Sequence, residues 1–144
     1  MILKAERHDA PVIARLAMQM WEGHDADELT KEFEALLGNP SCAVFLCEEN
    51  GNRVGFAQCQ LRRDYVEGTS SSPVGYLEGI FVEEAYRHRG NARALLAACE
   101  RWAREMGCSE FASDCELSNE ASLAFHLKMG FAEANRVICF AKTL

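Results

Sequence analysis

The stretch Leu77-Glu-Gly-Ile-Phe-Val82-Glu-Glu-Ala-Tyr-Arg87-His-Arg-Gly90-Asn-Ala92 decides the fold, because it predicts a strand, a short turn and the start of a long helix. Gly90 allows a ligand to approach the backbone closely. The free N–H groups of the first helical turn, with the helix dipole behind them, form an anion site. Arg87 and Arg89 add positive charge. We therefore predict that this turn binds a pyrophosphate.

The same turn lacks the two common nucleotide signatures, G-x-x-x-x-G-K-[ST] and G-x-G-x-x-G. It matches the pattern [R/Q]-x-x-G-x-[G/A] through Arg87, Gly90 and Ala92. So short a pattern arises by chance in roughly one chain in ten of this length. A glycine that merely begins a helix therefore remains an alternative on this segment alone.

Outward from this segment, the sequence predicts a mixed α/β sheet in a single domain spanning residues 1–144. Alternation places Val74, Tyr76, Glu78, Ile80 and Val82 on one face of the central strand. The predicted strands cover residues 2–5, 42–48, 54–61, 74–82, 111–115 and 137–142, and the predicted helices cover about 9–20, 26–37, 91–106 and 119–129. Antiparallel strands come first, and strands then alternate with helices.

Composition excludes several classes of protein. The 144 residues are 49% apolar and 26% charged, which is ordinary globular usage and suits one domain. No apolar run approaches the ~20 residues of a membrane span, and no signal-peptide pattern is visible, so we expect a cytoplasmic protein without a membrane partner. The net charge of −7, with one basic cluster at residues 87–89, argues against nucleic-acid binding. An excess of carboxylates attracts a cationic partner instead.

The seven cysteines contain no C-x-x-C pair and the four histidines show no ligand spacing. Most cysteines lie among apolar neighbours, where a free thiol packs as a small hydrophobic group. We therefore expect no disulfide framework and no bound metal.

A second motif lies downstream, Asn119-Glu-Ala-Ser122-Leu-Ala-Phe125-His126-Leu-Lys-Met-Gly130-Phe131. Together the two segments resemble the GNAT superfamily of N-acetyltransferases, whose pattern here is N-x-x-[AS]-x-x-[FL]-Y-x-x-x-G-F. The resemblance implies six or seven strands flanked by about four helices, with acetyl-CoA in a gap where a bulge splays the central strand. It assigns the cofactor contacts to Ile80, Phe81 and Val82 for the pantetheine arm, to Arg87, His88, Arg89, Gly90, Asn91 and Ala92 for the pyrophosphate, and to Asn119 for the far end of the arm.

Five further segments narrow the resemblance to one subgroup, the aminoglycoside 6'-N-acetyltransferases of about this length. They are Trp21-Glu-Gly-His24, Arg63-Asp-Tyr65-Val-Glu-Gly68, Ser72-Pro73-Val74-x-x-Leu77-Glu78, Phe111-Ala-Ser-Asp114 and Glu133-x-x-Arg136-Val137. This resemblance assigns acceptor contacts to Trp21, Tyr65, Glu78, Asp114 and Asn135. At residue 135 the subgroup can carry an acidic side chain, so one charged contact is missing here. Homodimers are common in that subgroup.

The residue chemistry agrees with a cationic, sugar-like acceptor. Glu78 and Asp114 offer carboxylates to ammonium groups, while Trp21 and Tyr65 offer flat surfaces to sugar rings. Structural alternatives remain open for three of them: a hydrophobic clasp for Trp21, a hairpin aromatic for Tyr65 and a turn cap for Asp114. A carboxylate amid apolar neighbours needs a partner or a purpose, so Glu78 is the strongest candidate.

We predict direct attack of a neutral amine on the thioester, since no Ser-His-Asp or Cys-His constellation is legible. Glu78, Asp114 and His126 are the candidate catalytic residues. His126 stands where the superfamily often has a tyrosine that protonates the departing thiolate, and an imidazole can donate a proton at neutral pH. A histidine that only packs on the helix is the alternative. Acetylation of a polyamine or a protein lysine, or a non-catalytic acyl-CoA-binding regulator, are the alternative functions.

Overall fold

The computed structural model describes all residues from Met1 to Leu144 and contains five strands and four α-helices. In chain order these are β1 (Ile2–Lys4), α1 (Ala10–Met20), α2 (Ala26–Leu37), β2 (Cys42–Glu49), β3 (Asn52–Arg62), β4 (Val74–Val82), α3 (Asn91–Glu105), β5 (Phe111–Ser113) and α4 (Glu120–Lys128). Short 3-10 turns precede α1 and follow β4. None of the helices has both the length and the apolar character that crossing a bilayer requires.

The strands form one sheet in the order β1-β2-β3-β4-β5, and only β4 and β5 run parallel. The β2–β3 hairpin turns at Asn50 and Gly51, whose φ angles are 51° and 79°. Two successive positive φ values are what a tight two-residue hairpin demands, which is why Asn-Gly occurs there. The predicted mixed α/β sheet is confirmed.

Helices cover both faces of the sheet. Helix α3 packs on one face, where it buries Leu95, Cys99 and Trp102 against the sheet. Helices α1 and α2 pack on the other face around Phe56, which makes edge-to-face contacts with Trp21 and Phe33 at centroid distances of 6.2 and 6.1 Å. The sheet is therefore the middle of three layers, and α1, α2 and α3 each bury the apolar stripe that their periodicity predicts.

The predicted alternation along β4 is wrong beyond Glu78, because the strand contains a bulge. Gln58 of β3 pairs with Gly79, whereas Cys59 pairs with Leu77, so Glu78 is one residue in excess. An extra residue reverses the alternation. Ile80 and Val82 consequently share the α3 face with Leu77, while Tyr76, Glu78 and Phe81 face the side of α1 and α2.

The predicted strand at residues 137–142 is also wrong, so the sheet has five strands and not six or seven. The chain after α4 leaves the sheet and is held near Ala134 and Asn135 against the loop at Glu67 and Gly68. Its backbone therefore has no neighbouring strand with which to form a ladder. Apolar side chains beyond this point stay in solvent: Val137 is 70%, Ile138 81% and Phe140 91% exposed.

Candidate active site

A gap opens between β4 and β5 at the bulge. The two strands pair only at residues 75–77 with 111–113, and β4 then continues to Val82 with β3 as its sole neighbour. One edge of β4 from Glu78 onward thus lacks a partner strand, and its backbone is open to an extended ligand. Helix α3 begins just beyond the end of β4, so the gap leads to a helix N-terminus.

The N-terminus of α3 is built to receive an anion. Gly90 is the N-cap residue with a φ angle of 84°, and no side chain caps the helix. The first N–H groups of α3 are therefore free for an outside acceptor. No atom lies within 4 Å of the position that a Cβ on Gly90 would occupy, so the approach to these groups is open.

The charged residues of this turn hold its shape. Arg87 Nε donates to the carbonyl of Val82 at 2.7 Å, which ties the turn back to β4. Glu49 of β2 accepts from Arg89 Nη1 at 3.1 Å and from Asn91 Nδ2 at 2.8 Å. The structure thus gives Arg89 and Asn91 a positioning role, and Glu49 is a residue that sequence reasoning missed.

Two other predicted cofactor residues have defined local geometry in the structure. His88 also has a positive φ, of 60°, so the turn contains two left-handed residues, His88 and Gly90. Asn119 caps α4, where its side-chain oxygen accepts from the N–H of Ser122 at 3.1 Å. Its amide nitrogen makes no hydrogen bond within the chain, and its contact with the cofactor stays a prediction.

The acceptor carboxylate Glu78 is paired with an arginine that the sequence did not reveal. Arg62 at the end of β3 donates from Nε and Nη2 to Glu78 Oε1 at 3.1 and 2.8 Å, and from Nη2 to Oε2 at 3.1 Å. Its guanidinium carbon lies 3.4 Å from the centroid of the Tyr76 ring. The Tyr76 hydroxyl in turn donates to Asp114. The two predicted carboxylates therefore belong to one connected network.

This network fixes the protonation of Tyr76. Burial raises the pKa of the Tyr76 hydroxyl well above its usual range, and the hydrogen bond to Asp114 raises it further. Tyr76 is consequently a neutral donor at any physiological pH, and Asp114 is its acceptor. Asp114 does not cap the following turn, which was the structural alternative for this residue.

Trp21 lies at the end of α1 beside the bulge. A Cβ on Gly79 would lie 3.0 Å from the Trp21 ring, so the indole lies close against β4 and would have to shift slightly to admit a larger residue. Trp21 also borders an open cavity of about 330 Å³ between α2 and β3, which His24, Glu32 and Gln58 help to line. The indole therefore both packs on Phe56 and borders open space.

Tyr65 and Asn135 stand apart from this network. Tyr65, in the loop after β3, is 78% exposed and makes no hydrogen bond. Asn135 donates from Nδ2 to Glu67 Oε1 at 3.0 Å, across the same loop. The structure brings neither side chain into hydrogen-bond contact with Glu78 or Asp114, so their acceptor roles stay predictions.

His126 projects from α4 toward β5 with both ring nitrogens engaged. Nδ1 lies 2.7 Å from the carbonyl of Ser122 and Nε2 lies 2.7 Å from the Ser113 hydroxyl. A carbonyl only accepts, so Nδ1 carries the proton of the neutral ring and Nε2 accepts from Ser113. Ser113 is a second residue that sequence reasoning missed, because the motif in α4 does not show what faces it.

We expect His126→Ala to lower kcat by about 10-fold or less, and His126→Tyr to retain most activity. A thiolate of pKa ~8.5 leaves without much help, so a general acid adds little. Steady-state thiol release measures the effect, with Ser113→Ala as the matched variant that removes the partner of Nε2. A loss of about 1000-fold in both His126 variants, with normal folding and cofactor affinity, would make the imidazole an essential acid.

Comparison with known proteins agrees with this architecture. The model of the Acetyltransferase (GNAT) family matches residues 10–131, and the chain belongs to this family. The chain is 43% identical, over 99% of its own length and 93% of the relative's, to an aminoglycoside N(6')-acetyltransferase type 1 of Stenotrophomonas maltophilia. It is 37% identical to the protein of the same name from Serratia marcescens, over 100% of this chain and 99% of that protein.

A solved structure shares nearly the whole fold. AAC(6')-Iy in complex with the bisubstrate analogue CoA-S-monomethyl-acetylneamine superposes with a TM-score of 0.95 at 38% identity. The match covers 100% of this chain and 98% of that one. The mixed sheet with a gap between β4 and β5 is thus the acetyltransferase fold.

Proposed function

We propose that the protein transfers the acetyl group of acetyl-CoA to the 6'-amino group of aminoglycoside antibiotics and so confers resistance to them. The observation that carries this proposal is the pair of carboxylates, Glu78 and Asp114, in one network beside the gap between β4 and β5. The names of the relatives, and the CoA-linked neamine bound to a structural neighbour, support the same substrate pair.

Different parts of the chain bind the two substrates. The gap and the N-terminus of α3 hold acetyl-CoA through its pantetheine arm and its pyrophosphate. Glu78, Asp114, Trp21 and Tyr65 hold the acceptor, whose neutral amine attacks the thioester carbonyl carbon. The C–N bond forms and the C–S bond breaks, the sulfur leaves with the electron pair, and the nitrogen's surplus proton passes to solvent. Positioning two bound reactants in this way supplies much of the rate enhancement.

A panel of acceptors tests the proposal. Purified protein, acetyl-CoA and separately kanamycin, tobramycin, spermidine and a lysine peptide are assayed for release of CoA thiol. We expect turnover with the aminoglycosides, and mass spectrometry of the product to place the acetyl group on the 6'-nitrogen. Turnover restricted to spermidine or the peptide would assign the polyamine or protein-lysine alternative. Binding of CoA without thiol release from any acceptor would indicate a non-catalytic regulator.

The exposed C-terminal segment supports a homodimer. Val137, Ile138 and Phe140 are apolar and largely in solvent, and β5 leaves one edge of the sheet unpaired. A second copy of the chain would cover these side chains and lend the missing strand partner. Light scattering on the eluting protein is expected to give twice the chain mass, and Phe140→Asp to shift it toward one chain. A wild-type protein that elutes as a monomer at micromolar concentration would contradict the dimer.

We place the protein in the cytoplasm. All seven cysteines are free thiols in the structure, and five of them are buried or half-buried. Thiols persist in a reducing compartment, which also holds the cellular pool of acetyl-CoA.

A further inference from the structure

Arg62 and Glu78 form a pair that acetyl transfer, as derived above, leaves unexplained. An ammonium group needs carboxylates to bind, yet the structure neutralises one of these carboxylates with a cation of its own. The guanidinium contacts both carboxylate oxygens through three hydrogen bonds of 2.8 to 3.1 Å. Such pairs are among the stronger ones in proteins, and Arg62 is held in place by its stack on Tyr76.

The pair leaves one hydrogen-bonding position on Glu78 for the acceptor. A carboxylate has about four lone-pair positions. Arg62 uses three of them, two on Oε1 and one on Oε2. The Glu78 side chain is about one-fifth exposed, and no hydrogen bond within the chain uses the remaining lone-pair position on Oε2. Arg62 therefore removes much of the negative charge of Glu78 without removing its capacity to accept a hydrogen bond.

The charge surrounding Glu78 decides the protonation of a bound amine. The facing groups are, by element, Cys42 on β2, Arg62 on β3, Tyr76 on β4 and Asp114 after β5, with His24 and Glu32 across the cavity beside Trp21. Cys42 and Tyr76 stay neutral, since burial is the main cause that raises the pKa of each. Arg62 is thus the cation in contact with Glu78.

A bare carboxylate at this position would oppose the reaction. It stabilises the ammonium form and so raises the pKa of the bound amine. An alkyl ammonium of ordinary pKa, roughly 8 to 10, is already more than 90% protonated at pH 7. Each further pH unit by which the pKa rises removes about nine-tenths of the remaining nucleophile.

We propose that Arg62 is a positioning residue that neutralises Glu78, so that the carboxylate orients the acceptor amine by a hydrogen bond without holding it as ammonium. This inference rests on the proposed function. The chemistry of the transfer is unchanged, with the C–N bond formed, the C–S bond broken and the proton released to solvent. Arg62 shifts only the balance between the ammonium and the attacking amine in the bound complex.

The pH profile of kcat tests this role, because it reports the pKa of the bound amine. In Arg62→Gln, the unpaired Glu78 raises that pKa, so the acid limb of the profile moves to higher pH by about one unit. We expect kcat at pH 7 to fall about 10-fold while KM for kanamycin stays level or falls, and the difference in kcat to vanish at high pH. Arg62→Lys restores the charge and most of kcat.

Two further variants separate charge from structure. Glu78→Gln leaves Arg62 unpaired beside the amine, so the acid limb of the kcat profile of this variant moves the opposite way, to lower pH. The double variant that combines Arg62→Gln with Glu78→Gln lacks both charges, and its acid limb returns toward that of the wild type. Arg63→Gln removes the same charge from the adjacent exposed residue and is expected to leave the limb in place. Thermal unfolding checks that each variant is folded.

The failures of the two proposals are distinguishable. A wild-type protein that acetylates no aminoglycoside overturns the proposed function and this inference with it. A wild-type protein that is active, with Arg62→Gln lowering kcat by the same factor at every pH and raising KM, overturns the role of Arg62 alone. A shift of the acid limb of Glu78→Gln to higher pH would also overturn the role of Arg62.

Discussion

Replacing Glu78 or Asp114 by its amide is expected to lower kcat/KM for aminoglycosides by about 10- to 150-fold and to leave acetyl-CoA affinity almost intact. Loss of one charge-assisted hydrogen bond costs roughly 1.5–3 kcal/mol, which corresponds to that range. Both side chains lie in the network with Arg62 and Tyr76, which has no hydrogen bond to the turn at residues 87–90. Steady-state kinetics and calorimetry with acetyl-CoA measure the two quantities separately.

The two amides differ in what they leave behind. Glu78→Gln leaves the guanidinium of Arg62 without its partner, so a positive charge then faces the acceptor. Asp114→Asn leaves the Tyr76 hydroxyl with an acceptor of weaker charge, so the milder loss is expected there. Asp64→Asn, on the exposed loop that follows β3, is the control and should behave as wild type. Full activity of both amides on every cationic acceptor would place the acceptor site elsewhere.

Replacing Gly90 by valine is expected to weaken acetyl-CoA binding by about 100-fold. The valine side chain would enter the open space through which a phosphate reaches the first N–H groups of α3. Loss of one or two charge-assisted hydrogen bonds at ~1.5–3 kcal/mol each accounts for this factor. A β-branched residue at a φ of 84° also strains the turn. Calorimetry on the folded variant gives the affinity.

A matched substitution separates obstruction from strain. Gly107 follows α3 at its other end, with a φ of 89° and likewise no atom within 4 Å of a would-be Cβ. Gly107→Val therefore imposes similar backbone strain far from the anion site. It should lower the melting temperature and keep the affinity for acetyl-CoA. Unchanged affinity in folded Gly90→Val would rule out this placement of the pyrophosphate.

The sequence predicted most helices and strands well, because the residues that begin and end them lie next to them in the chain. The bounds of α2 and β4 agree with the structure, since the signals act on immediate neighbours: in α2, for example, the Asp25 side chain accepts from the N–H of Glu28 and begins the helix. The strand, the turn and the helix N-terminus around Gly90 were predictable for the same reason, as they are adjacent in sequence. The gap in the sheet was expected only from the resemblance to the GNAT superfamily.

The features that sequence analysis missed depend on which strands lie side by side. Arg62 meets Glu78 only through the register of β3 against β4, and Ser113 meets His126 only because β5 lies under α4. The family resemblance implied a bulge, but the position of the bulge, which reverses the faces of β4 after Glu78, leaves no mark in the pattern of apolar residues. The segment 137–142 has a strand's composition, but composition does not provide a neighbouring strand.

The bulge in β4 makes it possible to remove the cleft without disturbing the packing of the two cores, which no substitution would do. The strand is one residue longer than its partner requires, and the surplus lies where β4 parts from β5. Removal of Gly79 would restore a regular alternation in which Tyr76 and Phe81 keep their present layer and Leu77 and Val82 keep theirs. Both cores would survive, while the strand would lose the local twist that opens the gap. Deletion of the single Gly79 codon is therefore expected to leave a stably folded protein whose cleft no longer holds acetyl-CoA.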